Sequence, residues 1–232
     1  MVTNSKIYFA GFNLFYGNHF GYTSFSKPLN KMKKYFIAIA LLGIIHTAKS
    51  QNTKPAESFE KITSDNNLIL DQPLGFVKTE PIKNSAMLYE YAVIDTSKHI
   101  EIRYAVRSLT ERVKEYKKWL ETKKEGENRI NPNTMPSVAL TAIAMNIAGE
   151  FTKPPSIQQF PAPAVKKDFN ADTGFFTIVT PTKNFGKDYK FCMVVAIHKE
   201  DIADAYTFIL TDEMENLKKY ITPSIFNALR FK

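Results

Sequence analysis

A single cysteine, Cys192, and only nine glycines occur among the 232 residues, and the first fifty residues contain no acidic side chain. One thiol cannot build an internal disulfide framework. The low glycine content and ordinary charge density exclude collagen-like and strongly charged disordered chains. Residues 1–50 hold six lysines (Lys6, Lys27, Lys31, Lys33, Lys34, Lys49) out of 31 basic residues and none of the 23 acids. The net charge of +8 therefore belongs mostly to that segment, and the excess beyond residue 50 is only +2. Without a basic surface in the remainder, nucleic acid is not an expected partner.

Long apolar runs are also missing. Phe36 to Ile45 (FIAIALLGII) is preceded by the positive Met32-Lys33-Lys34-Tyr35 and followed by the polar His46 to Ser50 (HTAKS), which is the layout of a secretory signal peptide over residues 32–50. Ala48 and Ser50 stand at minus three and minus one for cleavage between Ser50 and Gln51, matching the narrow pocket of a signal peptidase. Ten helical residues rise about 15 Å, roughly half a hydrocarbon core, so no stable transmembrane span is expected after processing. No cysteine adjoins the cleavage point to take a lipid. The expected location is periplasmic or extracellular. Residues 1–31 would precede the signal and read as an upstream extension assigned to the chain in error, with Met32 as the first residue; the other reading is an aromatic-rich segment that meets a membrane or partner.

Residues 51–72 are polar and read as a flexible leader, and residues 73–232 as one domain. Met87 to Ile94 and His99 to Val106 are rich in β-branched and aromatic residues around a short polar stretch, the pattern of a hairpin. With Asp95 opposite Lys98, Tyr91 would face Ile102, Tyr89 would face Tyr104, Met87 would face Val106, and Glu90 would face Arg103. Ser108 to Glu111 has capping-box spacing before an amphipathic helix carrying Val113, Tyr116, Trp119 and Leu120. Ser137 to Ala148 is apolar almost all round and predicts a buried helix closed by Gly149. A short helix with Val165 and Phe169, three strands (175–180, 189–198, 203–210) and closing helices near the end complete the order. That order predicts a single α+β domain, an antiparallel sheet of an early hairpin and a later three-strand meander packed with helices. The signal layout, the hairpin and the late meander FNADTGFFTIVTPTKNFGKDYKFCMVVAIHKEDIADAYTFIL together resemble the PsbP-like and DcrB-like class of small secreted or lumenal α+β proteins, over roughly Gly75 to Phe231. The resemblance implies an accessory or binding role and assigns no functional residue.

Catalytic anchors are scarce. The chain has no GxSxG, GxGxxG, GxxxxGK[ST] or HExxH. Asp168, Asn170, Asp172 and Gly174 imitate the start of a calcium loop, but Thr173 stands where the turn glycine belongs and Val179 where the bidentate glutamate belongs, so no metal site is expected. Cys192 lies in the apolar run KFCMVVAIH and reads as a core thiol; His198 is six strand residues away, about 20 Å, beyond proton-transfer reach. A pairing of Cys192 with His99 across the sheet has no support in the sequence. No catalytic residue and no cofactor are expected. The one candidate ligand site is the polar face of the hairpin, Glu90, Glu101 and Arg103 with Arg107 and His99 at its edges, where an arginine fork could hold an anionic or polar ligand; a solvated face with a salt pair accounts for the same residues. The expected function is that of an extracytoplasmic, non-enzymatic accessory protein that binds a small ligand or a protein. The rival readings are a secreted hydrolase with a site assembled from distant segments and an envelope component that works through a partner.

Overall fold

A computed structural model describes residues 58–232. The extension, the signal peptide, its cleavage point and the first part of the leader lie outside the described residues. Helix α1 (Phe59–Asp65) begins at Ser58, whose hydroxyl accepts from the Lys61 amide. It leads into β1 (Leu68–Leu70), β2 (Val77–Thr79), β3 (Tyr91–Asp95) and β4 (Ile100–Ser108). Helix α2 (Thr110–Thr122), a 3-10 turn (Pro132–Thr134) and α3 (Pro136–Ala148) follow. Next come β5 (Gln158–Gln159), α4 (Ala162–Phe169), β6 (Thr173–Val179), α5 (Lys183–Gly186), β7 (Phe191–Lys199) and β8 (Ala203–Thr211). Helices α6 (Met214–Tyr220) and α7 (Pro223–Phe226) and strand β9 (Leu229–Phe231) end the chain.

Seven strands form one antiparallel sheet in the order β2-β3-β4-β8-β7-β6-β5, and β1 pairs with β9 in a second, two-stranded sheet. The hairpin and the meander are therefore one sheet, joined by nine residue pairs from Ile100↔Thr211 to Ser108↔Ala203. These two central strands are buried on both faces, with Glu101, Arg103 and Asp204 among the buried side chains. On one face Ala105, Cys192, Val194, Ala196, Tyr206, Phe208 and Leu210 pack with Leu140, Ala144 and Ile147 of α3 and with Phe185. On the other, Phe59 of α1 stacks on Tyr91 at 5.1 Å and lies 6.3 Å from Tyr104.

Four sequence expectations change. The leader does not run to residue 72: α1 and β1 belong to the fold, because Phe59 and Leu68 are buried and β1 has β9 to pair with. The hairpin register is shifted by two, with Tyr91↔Tyr104, Val93↔Ile102 and Asp95↔Ile100, because the turn takes four residues, Thr96 to His99, instead of two. The inward and outward faces survive, since a shift of two preserves alternation. Ser108 makes no cap; the N-cap residue of α2 is Leu109, with no side-chain hydrogen bond. Helix α3 is buried on one face only: Leu140, Ala144 and Ile147 point inward while Val138 is 54% exposed. Gly149 ends that helix as expected, at φ 65°, where a β-carbon would also lie 2.8 Å from Thr182 Cγ2.

The longer turn has its own lock. Asp95 Oδ1 accepts from the Ser97 hydroxyl at 2.6 Å and the Ser97 and Lys98 amides at 3.1 and 3.2 Å, and Oδ2 pairs with the Lys98 ammonium. The Lys98 bond, then the Ser97 bond, hold the carboxyl at about 2 against an ordinary 3.8. A carboxyl depressed by folding contributes stability that is complete above its unfolded pKa and disappears as pH falls through the folded one. Acid titration followed by circular dichroism should therefore show a loss of stability between about pH 4 and pH 2, a component missing in Asp95→Asn.

Candidate functional site

Glu101 and Arg103 stand two apart on β4 and so share a sheet face. Both are buried, at 1% and 0% exposure. Arg103 Nε donates to Glu101 Oε1 at 2.6 Å, and Nη1 donates to the Phe185 carbonyl oxygen. The guanidinium lies 4.9 Å from the Tyr89 ring and 4.8 Å from the Phe185 ring, a cation flanked by two aromatic faces. Nη2 is buried and has no hydrogen-bond partner among the described residues. Glu101 Oε2 lies 3.7 Å from the Lys187 ammonium, whose side chain is 46% exposed. Two cations thus share one buried carboxylate. The Tyr189 hydroxyl is nearby: burial foremost, then the Glu101 and Asp212 carboxylates, push it up to about 12, while Arg103 pulls the other way.

The loop that brings Lys187 here is tightly set. A β-carbon on Gly186 would meet Pro181 Cγ at 2.5 Å, so glycine is needed there for close approach. The next residue, Lys187, has φ 53° and ψ −114°, a conformation that glycine adopts freely and a residue with a β-carbon does not.

The structure divides the candidate residues. Glu101 and Arg103 come together at the centre of the face. Glu90 instead meets Arg107 near the end of β4, at 2.6 Å, and Arg107 Nη2 also donates to the Leu88 carbonyl oxygen. The solvated-face account does not hold for Glu101 and Arg103, because Tyr89 and Phe185 cover them. The expected Glu90–Arg103 pairing is likewise replaced by Ala92↔Arg103. His99 is in the turn at φ 51°, largely exposed, 3.6 Å from Asp212 Oδ2, and takes no part in the cluster.

Cys192 and His198 share a face of β7 but sit at opposite ends of it: Cys192 pairs with Leu210 and Val179, His198 with Asp204 and Thr173. Burial pushes the Cys192 thiol up to about 12, with Arg103 acting in the opposite direction. Native protein should accordingly resist a thiol reagent at pH 8 and react only at the rate of global opening; labelling that is fast in the folded state would contradict this burial. His198 Nδ1 is 2.7 Å from Asp204 Oδ1, both buried. That pair was not foreseen. Its signal was the hairpin HKEDIAD, which places residues 198 and 204 at equal distances from the turn.

Asp168, Asn170 and Asp172 do not converge. Asn170 is the left-handed cap of α4, and Asp172 Oδ2 accepts from the Glu200 amide at 2.9 Å. Among the described residues no group of three or more His, Cys, Asp or Glu could hold a metal ion. A shallow groove of about 420 Å³ lies elsewhere, between α1 and β1, lined by Phe59, Thr63, Leu68, Gln72 and Tyr91 among others, and it touches none of the candidate residues.

No protein-family model matches the chain, and no curated protein does. Among solved structures, the solution structure of cyanobacterial PsbP (CyanoP) from Synechocystis sp. PCC 6803 is similar over 82% of this chain and 100% of that one, at 7% identity and a TM-score of 0.38. By its own element order and sheet topology the chain is an antiparallel α+β domain.

Proposed function

We propose that this chain is an exported, non-enzymatic accessory protein that binds a ligand or partner outside the cytoplasm. The charge and hydropathy layout of residues 32–50 supports export. Among the described residues no helix is long and apolar enough to cross a membrane. The observation that carries the binding half is the Arg103 cluster: a fully buried guanidinium with one donor nitrogen that has no hydrogen-bond partner among the described residues, beside a carboxylate shared with a second cation. Buried polar groups without partners are uncommon in native folds, and each needs a reason.

Expression of the full reading frame in a secreting bacterial host, followed by the intact mass of the soluble periplasmic and medium fractions, tests the first half. The expected mass begins at Gln51. An unprocessed cytosolic chain beginning at Met1 would overturn export.

A further inference from the structure

We infer that the free edge of β1 is a docking site for an extended peptide segment of a partner protein, which adds there as a further strand. The inference goes beyond the binding reading above, because this edge lies away from the Arg103 cluster. It starts from the pairing of β1 with β9. The Lys232 amide donates to the Asn67 carbonyl oxygen and the Asp71 amide to that of Ala228, both at 2.9 Å. With Leu68 opposite Phe231, Ile69 opposite Arg230 and Leu70 opposite Leu229, those bonds make Ile69 the residue that exchanges hydrogen bonds with β9. The N–H and C=O groups of Leu68 and Leu70 therefore point away from β9, and they have no hydrogen-bond partner among the described residues. Shielded backbone groups are nearly always paired in native folds, so a row of them on one edge calls for a partner.

The groove of about 420 Å³ lies along this edge. It touches the consecutive residues 68–72, and because strand side chains alternate between faces, it follows the edge of β1 and not one face. Its other wall is one side of α1, Phe59, Glu60, Thr63 and Ser64. Leu68 is 1% exposed while Leu70 is half-buried, so the edge is deepest at Leu68 and opens at Leu70. Backbone donors and acceptors two residues apart match an extended backbone, whose own groups repeat at that spacing. The outer strand of the large sheet, β2, is guarded by Lys78 and by Pro81 just beyond its end, the usual devices against edge pairing. β1 carries three aliphatic residues and no such guard. Glu60 makes no ion pair among the described residues, so the segment that complements this groove carries a basic residue between apolar ones.

The test is fluorescence anisotropy of a capped, soluble peptide that alternates valine and threonine around a central lysine, titrated with the purified protein. Saturable binding is expected. Only every second residue of an added strand bonds to β1, so N-methylation of one alternate set of peptide amides should weaken binding at least about tenfold and methylation of the other set less than about twofold. Leu70→Pro removes the groove-facing N–H and leaves the bonds to β9 in place, so it should weaken the peptide at least about tenfold without abolishing the cooperative melt. Glu60→Lys should weaken the lysine peptide about threefold and favour a peptide with glutamate at its centre. Equal losses from the two methylated sets, or none from either, would overturn strand addition. No saturable binding by protein with an intact melt would overturn the site. A dimer of the protein alone that Leu70→Pro dissociates, seen by size-exclusion chromatography, would give the edge to a second copy and overturn the assignment to a partner's peptide. Export is read separately from the intact mass, so failure here refutes this edge alone.

Discussion

Glu101→Ala is expected to lower the unfolding free energy by about 3–5 kcal/mol, the usual effect of removing one member of a buried ion pair. The magnitude comes from what is left behind. Arg103 is 0% exposed, and after loss of the 2.6 Å bond to Glu101 its remaining protein partner is the Phe185 carbonyl oxygen. Arginine does not deprotonate, so the positive charge stays buried in an aromatic setting without its counter-ion. Lys187 adds to the effect, since its ammonium lies 3.7 Å from the same carboxylate and would then repel the guanidinium. Urea denaturation of the variant checks this, and a change below about 1 kcal/mol would mean that the pair is exchanging with solvent in the native state.

Phe208→Ala should cost a comparable amount, about 3–5 kcal/mol, by a different mechanism. Phe208 is 0% exposed on β8, with its ring centroid 5.4 Å from Phe185 at 68° and 6.4 Å from Tyr206 at 18°. It is the direct cross-strand neighbour of both Arg103 and Val194, so truncation opens a void in the middle of the layer under Phe185. Large-to-small changes lose the transfer free energy of the ring and the contacts around the cavity. The same void should let Phe185 sink and draw its carbonyl away from Arg103. The Glu101→Ala and Phe208→Ala effects should therefore fail to add, with a coupling of about 0.5 kcal/mol or more, because contacting sites share partners. Equilibrium unfolding of the two single variants and the double variant measures it.

Much of the fold was legible because its central elements carry strong periodic signals. The hairpin strands, the three-strand meander, α2 and α3 all announce themselves by alternation, by apolar composition or by a terminating glycine. What sequence could not supply was long-range pairing. β1, β2 and β9 are three residues each, too short for a pattern, and exist because a partner strand is in place. The adjacency of β4 and β8 joins segments about a hundred residues apart, and no local feature specifies it. The hairpin register slipped by two because Asp95 builds a turn on Ser97 and Lys98 side-chain and amide bonds that a simple count of intervening residues does not weigh.

The candidate site was half legible for the same reason. Alternation put Glu101 and Arg103 on one face, and an opposite-charge pair two apart on a strand was visible. Their burial was not, because the cover arrives from Tyr89 on one side and from Phe185, 82 residues away, on the other. Polar residues on an antiparallel face ordinarily meet water. Here Arg103 meets two aromatic rings.

The central claim is that this buried pair is kept for recognition and not for holding the fold together. Equilibrium unfolding of the double variant Glu101→Leu with Arg103→Met tests it most directly, since apolar replacement of both partners removes the charges without leaving one unpaired. The expected double variant is within about 1 kcal/mol of the native protein or more stable. A double variant as unstable as Glu101→Ala alone would make the pair a structural support and contradict the claim.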